Sequence, residues 1–279
     1  MVPSDFSRNA DTALRYAVRL SRLTKTEIIV FHCAHLSPYI LSSASANDKQ
    51  LDILTKEDKV FKTKKLYSQV QKVYRYLGVK EIPPSTRILV DSKPLLLSNI
   101  IEVALKNNVD LIVTGTHGAT GLNRFFFGSN TANMISHSPV PILAVPEKYK
   151  FREIRKIAFA SDLENLEQEL NILTPFAKAV KASIDVVYLD YGTDNPSRIK
   201  DATDCIRRMD YHKIKLIGEK ASIEYTLIRQ LKKYMGKHSY QLLVMFTKER
   251  RFWDKLFLGA KTESMSYSLK TPLLSFKKN

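Results

Sequence analysis

The sequence predicts an α/β fold made of two tandem, doubly wound parallel sheets. Three observations carry this prediction: apolar strand-like runs alternate with helical segments, a strand-loop-helix-strand unit spans 110–145, and the pattern of the first half returns in the second. Such alternation is typical of parallel strands joined by right-handed helical crossovers. A chain of 279 residues is long enough for two modest domains.

The first half begins with a short strand and an amphipathic helix. Only Met1 precedes the loop-like segment 2–5, so the first strand is expected to be nearly missing. Either the true start of the chain lies upstream or the sheet is incomplete. Apolar residues at helical spacing predict a helix over 9–23. The run Glu27–Cys33, rich in isoleucine and valine, predicts the second strand.

A long polar segment follows that strand. Residues 36–49 are rich in serine and predict a loop, whereas the lysine-rich stretch 51–77 predicts a helix. A short strand is expected over 87–90. A helix is expected over 94–106, because Pro94 suits the first turn of a helix.

The segment Asp110–Val145 has the pattern of an anion-binding unit. After an apolar run come Gly115 and Gly118, then nine intervening residues, then Gly128 and Ser129 at a predicted helix start. Glycine lets a ligand approach the backbone closely, and free N–H groups at a helix start favour phosphate. The alternative is an ordinary turn that needs glycine for its geometry. Neither a P-loop nor a dinucleotide-binding fingerprint is present in the sequence.

The second half repeats the first. A strand ending in Asp162 resembles the segment ending in Asp5, and residues 253–259 align with 122–128 at an offset of 131. A repeat at constant spacing indicates two copies of one fold. The predicted domains are 1–147 and 152–279, with a short charged linker at 146–151.

Four pieces of the first half resemble the universal stress protein family. They are the opening segment 2–7, the GTHG of 115–118, the FGS of 127–129 and the closing PVPIL of 139–143. The glycine spacing is similar to the nucleotide-binding loop of that family. The resemblance implies a Rossmann-like sheet that binds ATP at its carboxyl edge, in a protein with a stress-response or signalling role.

The resemblance also implies which residues hold the nucleotide. Pro3 and Asp5 match positions that contact adenine and ribose, and Cys33 matches one that flanks adenine through its backbone. For Asp5 an equal alternative is a capping role at the start of the first helix. Ribose and phosphates would be held by Gly115, Gly118, Gly128, Ser129, Asn130 and Thr131. Mg²⁺ bound with the phosphates is compatible with such a site, although no residue of the sequence specifies it.

The second copy keeps the scaffold and loses this motif. Phe246 replaces Gly115, Glu249 replaces Gly118 and Ala260 replaces Ser129. A phenylalanine blocks close approach to the backbone, and a glutamate repels phosphate. The second domain is therefore predicted to be a scaffold.

Composition excludes several classes of protein. Two cysteines make no disulfide framework, which indicates a cytoplasmic location, and no apolar run is as long as a membrane helix. The net charge of +16 is spread over both halves, with 19 basic and 12 acidic residues in 1–148 and 25 and 16 in 149–279. Without a nucleic-acid-binding signature, a solvated basic surface is the favoured interpretation. No metal-ligand cluster or catalytic constellation is visible, and His117 lacks triad partners, so an enzyme is not expected.

Two alternative functions stay open. Beside an ATP-binding protein without enzymatic activity, the chain could be an interaction module that binds no nucleotide, or an ATPase with slow hydrolysis. The family resemblance implies that the last strands of the two domains, within 140–145 and 272–276, pair as an internal pseudo-dimer. A further homodimer and an unknown protein partner are compatible with the sequence, while a membrane or nucleic-acid partner is not expected.

Overall fold

The computed structural model describes residues 1–33, 48–91, 96–116, 129–192, 196–247 and 270–278. The chain divides into two compact units, Met1–Lys148 and Tyr149–Asn279, and the division falls inside the predicted linker. Both units consist of helices and parallel strands, which confirms the predicted α/β class. None of the helices in these ranges is long and apolar enough to cross a membrane.

Five strands of the first unit are described: β1 (Val2–Pro3), β2 (Ile28–Cys33), β3 (Thr86–Asp91), β4 (Ile112–Gly115) and β5 (Ile142–Val145). β2 pairs in parallel with both β1 and β3, and β4 pairs in parallel with β5. Met1 joins the two groups, because its amino nitrogen donates to the Leu111 carbonyl at 2.7 Å and its carbonyl accepts the Val113 N–H at 2.8 Å. The spatial order is therefore β3-β2-β1-β4-β5.

Two strands of this unit bear directly on the sequence predictions. β1 has two residues, as its short apolar sequence predicts, yet Met1 and Val2 are both buried. β4 runs beyond the predicted apolar run and ends at Gly115. The first glycine of the motif, Gly115, thus lies inside the sheet, whereas the sequence pattern predicts that it lies in the loop.

Four helices of the first unit are described: α1 (Arg8–Thr24), α2 (Asp48–Tyr76), α3 (Leu96–Lys106) and α4 (Ser129–His137). They match the predicted helices, with shifts at the ends. Residues 48–49 of the predicted loop belong to α2, and the rest of that loop lies outside the described residues, as does Pro94. Ser7 caps α1 by accepting the Ala10 N–H at 3.2 Å, and Lys25 ends it in the left-handed conformation at φ 54°.

The second unit repeats this arrangement. Its strand order is β10-β9-β6-β7-β8, and every adjacent pair is parallel. Counted from the first strand of each unit, this is the same order as in the first unit. The elements are β6 (Lys156–Ala160), α5 (Leu166–Val180), β7 (Ser183–Asp190), α6 (Pro196–Arg208), β8 (Ile214–Lys220), α7 (Leu227–Lys237), β9 (Leu242–Thr247) and β10 (Leu273–Lys277).

Candidate functional site

The candidate site lies where the strand order of the first unit reverses. The chain passes from β1 to β2 and β3 on one side, and then to β4 and β5 on the other. The crevice beyond the carboxyl ends of β1 and β4 is therefore the topological switch point, where open α/β sheets bind ligands. Asp5 follows β1, and Gly115 ends β4.

The loop after β1 is held by its own side chains and by α2. The Ser4 hydroxyl accepts the Phe6 N–H at 3.2 Å and donates to Gln69 of α2 at 2.6 Å. The Asp5 carboxylate accepts the Ser7 N–H at 3.0 Å, and Asp5 itself is exposed. Because Ser7 caps α1, the alternative role of Asp5 as the cap of that helix is wrong.

The same loop geometry occurs in the second unit. The Ser161 hydroxyl accepts the Leu163 N–H at 3.0 Å, and Asp162 accepts the Glu164 N–H at 3.1 Å. Leu163 has φ 63°, and its counterpart Phe6 has φ 65°. Positive φ is uncommon for such side chains, so its recurrence at matching positions indicates the same turn in both copies.

The two ends of the glycine motif meet at β4. Thr131, in the first turn of α4, is buried and donates through its hydroxyl to the Gly115 carbonyl at 2.9 Å. Ser129 and Asn130 begin α4 beside it. The residues between these ends, including Gly118 and Gly128 as well as His117 and Arg124, lie outside the described residues.

Gly115 is also a packing residue. A Cβ atom on Gly115 would lie 2.9 Å from the Cβ of Asn9 and 3.0 Å from its backbone carbonyl carbon. These distances are shorter than van der Waals contact, so β4 and the start of α1 approach too closely for a side chain here. The glycine spacing predicts ligand approach at Gly115 and carries no signal of the contact with α1.

The end of β2 brings two more groups near the loop after β1. His32 is buried, donates from Nδ1 to the Ser4 carbonyl at 2.7 Å, and packs its ring 4.3 Å from that of Phe6. Burial lowers the pKa of His32, although the bond to Ser4 opposes this. Cys33 is buried and accepts the Asn99 amide at 3.2 Å through Sγ. Cys33 is among the residues predicted from the sequence, whereas His32 is not, because its only signal is its place beside Cys33 at the strand end.

The corresponding edge of the second unit is filled by a lysine. The Lys278 ammonium lies 2.8 Å from both carboxylate oxygens of Asp162 and 3.2 Å from Oε1 of Glu169. The Lys278 and Glu169 side chains are only 6% and 4% exposed. Asp162 is the counterpart of Asp5, so the carboxylate that is exposed in the first unit is bound by an ammonium group in the second.

The charges in this cluster shift one another's pKa. Burial opposes ionisation of Asp162, but the hydrogen bond and charge of Lys278 and the Glu164 N–H together hold its pKa below the ordinary value. Burial likewise opposes the charge on Lys278, but the two carboxylates keep the pKa of Lys278 above its ordinary value. For Glu169, burial raises the pKa in spite of the nearby ammonium.

Phe246 is a second difference between the two units at the carboxyl edge of the sheet. It occupies the place of Gly115, and its ring lies 4.6 Å from that of Phe276 and 5.5 Å from that of Phe159. An aromatic cluster thus stands where the first unit has a glycine. Glu249, Ala260, Gly259 and Thr262 lie outside the described residues. In the part of the chain that the structure describes, no group of three histidine, cysteine or acidic side chains is placed to hold a metal ion.

Comparison with known proteins agrees with this architecture. The model of the universal stress protein family matches residues 1–146. Universal stress protein MJ0531 of Methanocaldococcus jannaschii is 29% identical over 150 residues, covering 54% of this chain and 82% of the relative. Universal stress protein MJ0577 of the same organism is 26% identical over 156 residues, covering 53% and 94%.

A solved structure is similar over the whole chain. The universal stress protein from Archaeoglobus fulgidus has a TM-score of 0.67 at 16% identity, covering 100% of this chain and 97% of that one. At this identity the similarity shows the fold, and the family model shows the family. The chain, with its strand order, its loop after β1 and its glycine motif, belongs to the universal stress protein family.

Proposed function

We propose that the first unit binds ATP, accompanied by Mg²⁺, at the switch point between β1 and β4. The observation that carries this proposal is the contact between Thr131 and the Gly115 carbonyl, because it closes the two ends of the glycine motif onto the carboxyl edge of the sheet. Asp5 stands on the neighbouring strand end with its side chain exposed. A carboxylate beside an anion-binding loop suits a nucleotide, whose ribose offers hydroxyl donors and whose phosphates need N–H donors.

Each proposed ligand residue has a distinct part. Asp5 accepts from the ribose hydroxyls, while Pro3 and the backbone of Cys33 flank the adenine. Gly118, Gly128, Ser129 and Asn130 present backbone N–H groups to the phosphates. Thr131 and Gly115 hold that loop to the sheet, since the Thr131 hydroxyl already donates to the Gly115 carbonyl.

The second unit serves as the scaffold in this proposal. Lys278 neutralises Asp162, and Phe246 places an aromatic ring, stacked on Phe276, at the position that is Gly115 in the first unit. Both features disfavour a nucleotide there. We further propose a cytoplasmic stress-response or signalling role for two tandem universal stress domains, 1–147 and 152–279, paired through their last strands.

A thermal melt with and without Mg²⁺-ATP tests nucleotide binding. At a hundredfold excess over Kd, ATP is expected to stabilise the wild type by about 2.7 kcal/mol, which raises Tm by on the order of 5 to 10 °C. Gly118→Glu, which copies Glu249 of the second unit, is expected to abolish the increase. Gly236→Glu is the matched control, because nothing lies within 4 Å of a Cβ added at Gly236.

The outcomes separate the three functions. No increase in the wild type at millimolar ATP rejects nucleotide binding and favours the interaction module. An increase that survives Gly118→Glu rejects the assignment of the loop. Release of phosphate from ATP by the wild type, and not by Gly118→Glu, would make the protein an ATPase.

Asp5→Asn tests the ribose contact. Loss of the carboxylate is expected to weaken ATP binding by about tenfold, because a hydrogen bond to a charged acceptor contributes about 1.5 to 3 kcal/mol. The wild type should also prefer ATP to 2′,3′-dideoxy-ATP, and the variant should not. Titration calorimetry measures both. Glu27→Gln is the control, because Glu27 is exposed and precedes β2 at the opposite edge of the sheet. Equal weakening in both variants would argue against a specific role for Asp5.

A further inference from the structure

A buried asparagine stands beside the residue that is proposed to flank adenine. Asn99 lies near the start of α3, and only 1% of it is exposed. α3 follows β3, whose last residue, Asp91, is paired with Cys33 at the end of β2. The carboxamide of Asn99 therefore lies at the carboxyl edge of the sheet, the edge to which the nucleotide is assigned.

Only one end of the Asn99 carboxamide is used. Nδ2 donates to Sγ of Cys33 at 3.2 Å. Oδ1 is shielded from solvent, and no group in the described part of the chain donates to it. A buried acceptor without a donor costs free energy, and such groups are rare in folded proteins. This oxygen is therefore available to a donor that a ligand brings.

The second unit has a buried carboxamide at the equivalent position, and there it is fully bonded. Gln230 follows Asn99 at the repeat offset of 131, and the ends of α7 match those of α3 at the same offset. Its Oε1 accepts the Ser222 N–H at 2.8 Å, and its Nε2 donates to the Tyr191 hydroxyl at 3.2 Å and the Tyr225 carbonyl at 3.1 Å. The unit that lacks the glycine motif thus satisfies its carboxamide internally, whereas the first unit leaves one end open.

We propose that Oδ1 of Asn99 accepts a hydrogen bond from the 6-amino group of adenine and so selects adenine over 6-oxo purines. This inference rests on the proposed function, in which the backbone of Cys33 flanks the base. The bond from Nδ2 to the Cys33 side chain fixes the orientation of the amide, so that its oxygen meets the base. Adenine carries an amino donor at position 6, whereas guanine carries an oxygen acceptor there. Two acceptors facing each other leave both without a hydrogen bond.

A comparison of ATP with ITP tests this assignment in the full chain. ITP carries an oxygen in place of the 6-amino group. Titration calorimetry with the Mg²⁺ complexes is expected to show at least tenfold weaker binding of ITP to the wild type. Asn99→Leu has a similar volume and no acceptor, so it should reduce the preference for ATP to within about twofold. Gln230→Leu is the matched control in the second unit and should retain the full preference.

A second measurement needs no nucleotide. Asn99→Leu removes an acceptor that has no donor and breaks only a bond to sulfur, which is a weak acceptor, so the first unit should keep its protection against hydrogen exchange. Gln230→Leu leaves the Ser222 N–H without its partner, so the second unit should lose protection. Mass spectrometry of peptides from each unit measures both effects. An equal loss in the two units would show that the fold already uses the whole Asn99 amide, and would overturn the proposal.

The nucleotide results separate this inference from the proposed function. Binding of neither nucleotide rejects the ATP site, and the assignment of Asn99 falls with it. Equal binding of ATP and ITP by the wild type leaves the ATP site intact and rejects only the role of Asn99, as does a preference for ATP that survives Asn99→Leu. A preference for ITP would show that the NH₂ end of the amide meets the base, which also contradicts the proposal.

Discussion

Lys278→Met is expected to destabilise the second unit by about 3 kcal/mol, because it leaves the buried Glu169 carboxylate without its counter-charge. Removing one partner of a buried ion pair typically costs about 3 to 5 kcal/mol. The lower end applies here, since Asp162, the other partner, is 53% exposed and keeps contact with water. Methionine preserves the length and the apolar stem of lysine, so the loss reports the ammonium group.

The chain offers a matched control and a local probe for this variant. Lys277 is adjacent and exposed, so Lys277→Met should leave stability within about 0.5 kcal/mol. Hydrogen exchange followed by mass spectrometry resolves peptides of the second unit and measures the stability of that unit in both variants. Equal effects of the two substitutions would show that Lys278 makes no special contribution.

The pH dependence gives this prediction a second signature. Lys278 lowers the pKa of Asp162 in the folded state, so the stability from this contact is complete above the ordinary aspartate pKa of about 4 and is lost as pH falls through the lower folded value. The gap in stability between wild type and Lys278→Met should therefore be largest near neutral pH. It should shrink as pH falls, first through the pKa of Glu169, which burial holds above its ordinary value of about 4.5, and then through that of Asp162, because protonation removes the uncompensated carboxylate charges. A gap that is constant from neutral to acidic pH would contradict the electrostatic explanation.

Gly115→Ala is expected to destabilise the first unit by about 1 to 3 kcal/mol, the usual cost of overpacking. The added methyl group would meet Asn9 at 2.9 to 3.0 Å, and two of the three contacts are with backbone atoms of α1. Backbone in a capped helix cannot move aside as a flexible side chain does. The effect follows from packing alone and requires no ligand.

Gly236→Ala is the control for the added methyl group. Gly236 lies in α7 with open space around it, so alanine there should be neutral or stabilising by up to about 1 kcal/mol. Hydrogen exchange followed by mass spectrometry measures both variants and separates peptides of the two units. Unchanged protection of α1 and β4 in Gly115→Ala would contradict the packing role.

These two predictions also guide the choice of variants for the nucleotide site. A Gly115 variant would lose ATP binding whether the glycine contacts the ligand or only allows α1 to pack. Asp5 avoids this ambiguity, because its side chain is exposed.

Local pattern was sufficient for the helices and strands. The spacing of apolar residues predicted α1, and the isoleucine- and valine-rich run predicted β2, because each depends on neighbours within a few residues. Ends were less accurate, since they depend on caps: the hydroxyl of Ser7 caps α1, and no periodicity distinguishes that role from one for Asp5.

The sequence by itself determined the α/β class, the internal repeat and the family, because strand-helix alternation and glycine spacing are properties of consecutive residues. Only the tertiary structure decided what those residues do. It set α1 against Gly115, and it brought Lys278 to Asp162 across 116 positions of the chain. Such contacts depend on how parallel strands align their carboxyl ends, and therefore on the folded sheet as a whole.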